Sequence, residues 1–211
     1  MSQAIDRPWV KVWDPLVRVD PWGLAVAFVV AYLSAEEESG GPSQVHVWSG
    51  YAVGIIVAVR IVWGLIGSKH ARFSDFAFSP IASARYVGDL VHGHARRYLG
   101  HNPIGAAMVF ALLVCLSGAV VTGIMATGDA GKGSLANVTG LVMTPAFAEA
   151  DEGAGGEKAK GAVGGLHSAL ANITLGLVVL HILGVGFACS MHRENLVFAM
   201  VTGRKRRGDE S

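Results

Sequence analysis

GLHSALANITLGLVVLHILGVGFACS, Gly165 to Ser190, is an apolar segment carrying two histidines fourteen residues apart, His167 and His181. An α-helix turns about 100° and rises about 1.5 Å per residue. The two imidazoles therefore share one helix face to within about 40° and lie about 21 Å apart along its axis. A stretch of this length crosses a hydrocarbon core of about 30 Å, with one histidine towards each edge. Ionisable groups inside a membrane helix are costly and read as functional. Two on one face predict two metal centres, one per leaflet.

Working outward, the 211-residue chain is 52% apolar and only 16% charged, with mean hydropathy +0.45. Four segments approach membrane length: about 15–35, 45–66, 103–125 and 166–189. The expected architecture is all-α: an integral membrane four-helix bundle forming a single domain over 1–211. Pro21 and Pro103 suit first helical turns. WDPLVRVD, Trp13 to Asp20, mixes apolar and charged residues and reads as a segment lying in the membrane interface. Cys115 and Cys189 sit in apolar runs and suggest no disulfide framework. The net charge is +1, and no nucleic-acid partner is expected.

That net charge conceals an asymmetry. The connection 67–102 carries Lys69, Arg72, Arg85, Arg96 and Arg97, and the tail carries Arg193, Arg204, Lys205, Arg206 and Arg207. The opposite side has Glu36 to Glu38 and a Gly/Ala/acidic loop over about 127–165 with Glu149, Asp151, Glu152 and Glu157. The positive-inside rule then puts both termini in the cytoplasm of a bacterial inner membrane. The acidic loop reads as a solvated, flexible linker or as a docking surface for a basic periplasmic partner.

Eight histidines are present. His70, His92 and His94 fall in the basic connection and read as solvated, with lipid phosphates or haem propionates as the alternative. His192 reads as interfacial. His46 opens the second span, with Gly50 and Gly54 on its face at four and eight residues; Gly176, Gly184 and Gly186 offer similar relief on the fourth. The second and fourth spans start on the same side, so His46 and His167 are matched in depth. Facing imidazoles at matched depth suit bis-histidine ligation of one haem iron, whereas zinc wants three or four ligands at one point. His181 lies deeper. Its nearest candidate partner is His101 in GHNPIG, as a second ligand or a propionate contact. Arg60 and Arg97 are candidate propionate contacts, and Arg60 also reads as a snorkelling, inside-marking residue.

Several strings together resemble the bacterial cytochrome b561 family, in the branch with the b-type subunits of nickel–iron hydrogenases. They are VWDPLVR (12–18), HVWSGY (46–51), RIVWGLIGSKHARFSDF (60–76), RYLGHNPIG (97–105), LHSALANITLGLVVLH (166–181) and HRENLVFAMVTGRK (192–205). The resemblance implies a four-helix membrane protein with two b haems. It matches His46 and His167 to the outer haem and His181 to one ligand of the inner haem. The family pattern Arg-x-x-His-Trp here reads Arg18-Val19-Asp20-Pro21-Trp22. Proline cannot ligate, so the inner haem has an altered sixth ligand, is five-coordinate, or is absent.

The function this implies is respiratory electron carriage across the membrane between the quinone pool and a periplasmic c-type cytochrome. One alternative is a haem enzyme oxidising quinol or reducing superoxide or another small oxidant. The other is a membrane anchor and relay for a hydrogenase-like subunit. A homodimer is a candidate assembly.

Overall fold

A computed structural model describes residues 9–35, 42–94, 96, 98, 100–129, 154–192 and 195–206. Arg97, Glu36 to Glu38, the stretch 130–153, Arg193 and Arg207 lie outside the described residues, as do the side chains of Glu157 and His192.

Four long helices carry the apolar segments: α1 (Pro15–Leu33), α2 (Gln44–Ile66), α5 (Pro103–Asp129) and α6 (Ala154–His192). Each is long and apolar enough to cross a membrane, and in lipid only such internally hydrogen-bonded helices or closed barrels are stable. Between and after them lie α3 (Phe73–Phe76), α4 (Pro80–Val91) and α7 (Leu196–Thr202). Strand β1 (Trp9–Lys11) pairs antiparallel with β2 (Arg204–Arg206).

The first span starts at Pro15 as expected, but one helix-start reading and two loop boundaries differ from the sequence reading. Pro103 opens α5 as expected, but Pro21 sits inside α1, which begins at Pro15. Asp14 takes over the start, its Oδ1 accepting from Val17 N at 3.0 Å, so WDPLVRVD is mostly first-helix sequence rather than a separate interfacial segment. The loop expected over 127–165 is helical at both ends, since α5 runs to Asp129 and α6 starts at Ala154. The run 154–165 is helical despite five glycines, which are poor helix formers.

The chain groups into two compact units. The first comprises 1–22, 59–111 and 177–211; the second comprises 23–58 and 112–176. In the first, the N-terminal segment is locked onto the C-terminal one. Val12 N and Trp13 N both donate to Gly203 O, at 2.9 and 3.2 Å, and the Arg18 guanidinium donates to Val201 O. Gly203 ends α7 with φ +74°. A Cβ there would stand 2.8 Å from Trp13 O, so the position needs glycine both for its left-handed backbone and for the close approach. Asp14 also accepts from Trp63 Nε1 at 3.1 Å and from Ser68 Oγ. Partial burial pushes the Asp14 carboxyl up, but the hydrogen bonds from Ser68, Val17, Trp63 and Leu16 outweigh it and hold the group below the ordinary value of 3.8.

In the second unit, segments of all four long helices meet. Tyr32 Oη donates to Asn172 Oδ1 at 2.7 Å, joining α1 to α6. Gly54 of α2 faces Val120 of α5, where a Cβ would lie 3.0 Å from the valine. Phe28, Val53, Val57, Leu113 and Leu116 are buried here. Thr174 is fully buried, its hydroxyl returned to Leu170 O at 2.8 Å.

Two outcomes are expected from the lock in the first unit. Gly203→Ala should destabilise the protein by about 1–3 kcal/mol, whereas Gly161→Ala, which meets open space on α6, should be neutral or stabilising; thermal melts in detergent compare them. A carboxyl held below 3.8 contributes stability that is present above that value and lost as pH falls through its folded value. The melting difference between the native chain and Asp14→Asn should therefore be largest near neutral pH and shrink below pH 3.8.

Candidate functional site

The second unit brings His46 and His167 together. Ser43 caps α2, accepting from His46 N at 3.0 Å, and this fixes where the His46 side chain leaves the helix. The two imidazole centroids are 5.9 Å apart with rings at 87°. Each Nδ1 lies 2.8 Å from a backbone carbonyl, His46 on Ala31 O and His167 on Ala119 O. A carbonyl can only accept, so both rings carry their proton on Nδ1 and present a bare Nε2 lone pair.

Each carbonyl is available for a stated reason. Ala31 is in the last turn of α1, where Ala35 N bonds to Tyr32 O instead. Its carbonyl is thus a helix-end acceptor outside the main-chain ladder, shared only loosely with Ser34 Oγ at 3.3 Å. Ala119 O lies in the middle of α5, one turn before Gly123. A Cβ on Gly123 would stand 2.9 Å from His167 Cε1 and 3.2 Å from Nδ1, so only glycine lets the ring reach that carbonyl. Thr122 borders the ring, with Oγ1 3.4 Å from Nδ1 and its own proton returned to Gly118 O at 2.8 Å. The glycines singled out from sequence divide: Gly54 packs against Val120, while Gly50, Gly176, Gly184 and Gly186 border open space. Gly123, Ala31 and Ala119 carried no sequence signal, because their importance lies on helices other than those bearing the histidines.

The first unit holds the other group. His101 is wedged between Trp13, at 4.8 Å, and Phe76, at 4.4 Å. Among the described residues its buried Nδ1 has no hydrogen-bond partner. Burial, followed by the nearby charges of Arg60, Lys205 and His181, pushes its pKa down to about 3 against a small opposing pull from Asp75, so the ring is neutral. His181 is thus within electrostatic reach of His101, but among the described residues no hydrogen bond orients it. Arg60 is 6% exposed. Its Nη1 donates to Ala71 O at 3.3 Å, and its guanidinium lies 5.2 Å above Phe73. It is packed inside protein rather than snorkelling, and Asp20 and Asp14 are within its electrostatic reach. Lys205, also buried, donates from Nζ to Tyr98 O at 3.3 Å.

The remaining histidines have local structural roles where described. His70 Nδ1 pairs with Asp75 Oδ2 at 3.0 Å, and His92 Nδ1 donates to Gly88 O at 2.7 Å at the end of α4. His94 is exposed. Among the described residues, no cluster of three or more His, Cys, Asp or Glu side chains could hold a bare metal ion.

Haem fits the second unit on these observations. Two rings with free Nε2 atoms and protonated, anchored Nδ1 atoms are a donor set that would suit a haem iron. The first unit fits less closely, with one unanchored imidazole, a second wedged between aromatics, and Pro21 where a ligand could project from α1.

Comparison with known proteins points to the same cofactor. Residues 12–203 match the family model described as prokaryotic cytochrome b561. A probable Ni/Fe-hydrogenase B-type cytochrome subunit of Rhizobium leguminosarum bv. viciae is 23% identical over 134 residues. That alignment covers 52% of this chain and 55% of the relative, so the chain spans about half the length of the curated protein it matches. No solved structure matches. With four membrane-length helices and a family match across nearly all of its described length, the chain is a multi-pass membrane protein belonging to the prokaryotic cytochrome b561 family.

Proposed function

We propose that this chain carries electrons through a bacterial inner membrane between the quinone pool and a periplasmic redox partner such as a c-type cytochrome. The anchored pair His46/His167 supports this reading most directly. Haem b bound between them would supply a one-electron iron couple without an open coordination position, which suits electron transfer rather than small-molecule activation.

The residues divide the work. His46 and His167 offer Nε2 to the iron, and Ala31 and Ala119 hold their Nδ1 protons, which raises ligand basicity and fixes ring direction. Gly123 gives His167 its room. His181 would ligate an inner haem, and Pro21 stands where the family pattern places a histidine. His101 lies beside that site as its candidate second ligand or as a propionate contact. Arg60 supplies a buried positive charge for propionates there, and Arg97 is a further candidate. The clustering of Lys and Arg in the connection before α5 and in the tail supports cytoplasmic termini.

Two other readings each have one observation in favour. The likeness to a hydrogenase b-type cytochrome subunit favours a relay for a hydrogenase-like partner. Proline at the inner ligand position favours a site open to a small oxidant. Reduction of the reconstituted protein by a quinol analogue, with and without added c-type cytochrome, separates carriage from both.

Pyridine haemochrome per chain together with EPR tests the ligand assignment. The expected result is one low-spin bis-imidazole haem, lost in His46→Ala and His167→Ala, and any second haem high-spin and more weakly held. Two low-spin haems of equal affinity would overturn the unequal assignment. Gly123→Ala should shift the EPR g-values of the low-spin haem while leaving protein yield unchanged; an unchanged spectrum would remove Gly123 from the site.

A further inference from the structure

The first unit has two short helices, α4 and α7, whose outward sides are apolar although neither is long enough to span a membrane. Around α4, at about 100° per residue, Ile81, Ala84 and Val87 fall within one arc and are all exposed, Ile81 at 73% and Val87 at 46%. The opposite arc carries buried Tyr86 and half-buried Leu90 and Ser83. The helix therefore shows its apolar side outward, the reverse of a water-facing helix. In α7, Val197, Phe198 and Val201, spaced to share a face, are 47%, 51% and 54% exposed.

Position argues for what covers these faces. Ser83 Oγ donates to Pro103 O at 3.2 Å, tying α4 to the first residue of the span α5. The helix α7 starts four residues after His192, where α6 ends. Both helices thus sit at the ends of membrane spans, level with the headgroups. Exposed charges lie beside the apolar arcs: Arg85 at the edge of the α4 arc, with Asp89 one turn further from it, and Arg204 shortly after α7. Apolar faces bordered by Arg match a bilayer surface with anionic headgroups, where the face enters the acyl boundary and the guanidinium reaches a phosphate.

We infer that α4 and α7 form an interfacial collar binding anionic phospholipid at the end of the protein that carries both termini. The inference is independent of haem ligation.

Five single-cysteine chains test it after labelling with a fluorophore: Ile81→Cys, Ala84→Cys, Asp89→Cys, Val197→Cys and Val201→Cys, each in a background of Cys115→Ser and Cys189→Ser. The protein is reconstituted in nanodiscs containing spin-labelled phospholipid, either phosphatidylglycerol-rich or purely phosphatidylcholine. Labels at positions 81, 84, 197 and 201 should be quenched several-fold more than the label at position 89, and more in the anionic discs. Arg85→Glu should remove that anionic preference at positions 81 and 84. Equal quenching at positions 81 and 89, or access of aqueous iodide to positions 81 and 197, would overturn the collar. Quenching without dependence on headgroup charge would overturn the anionic component. Oxidative cross-linking between two copies of the Ile81→Cys chain, in place of quenching, would assign the face to a second copy and overturn lipid binding. Far-UV circular dichroism and size-exclusion elution of each labelled protein confirm the folded state before quenching is read.

Discussion

An imidazole inside a membrane span has no water to satisfy its N–H, and a carbonyl on a neighbouring helix can do so. The bonds from His46 to Ala31 O and from His167 to Ala119 O meet this constraint and organise the rest of the site. Each bond fixes the tautomer and leaves Nε2 as the only free lone pair on its ring. Each also requires backbone to be accessible at that depth. The end of α1 provides it at Ala31, and the missing Cβ of Gly123 provides it at Ala119. An amide or a serine could satisfy the same carbonyls without creating a ligand pair. Histidine does both.

In the first unit the constraint is not met. Among the described residues, His101 keeps a buried Nδ1 without a partner and His181 is not oriented by a hydrogen bond. Arg60 is instead engaged by Ala71 O and Phe73. The two histidine groups of the chain are therefore not equivalent, and Pro21 widens the difference.

Much of this was legible in sequence, for physical reasons. Hydropathy over membrane length located the four long helices because lipid imposes one secondary structure and one minimum length. Depth matching paired His46 with His167 because both helices start on the same side. What was hidden depends on contacts between segments distant in the chain. Ala119 and Gly123 matter only because His167, 48 residues beyond Ala119, packs on them. Gly203 looked like an ordinary glycine until Trp13 O was placed against it. Pro21 looked like a helix start because a proline in an interior turn loses a backbone hydrogen bond; Asp14 supplies the earlier start. The short helices α4 and α7 escaped because 12 and 7 residues give neither a span nor a long periodic pattern.

His46 and His167 are proposed to hold a b-type haem as a bis-imidazole pair. This pairing is tested most directly by the absorption spectrum of the purified protein, oxidised and dithionite-reduced, beside that of a His167→Ala chain. A sharp reduced α band of the b type, strongly diminished in the variant, is the predicted result. Absence of that band from the native protein, or its full retention in His167→Ala, would contradict the account.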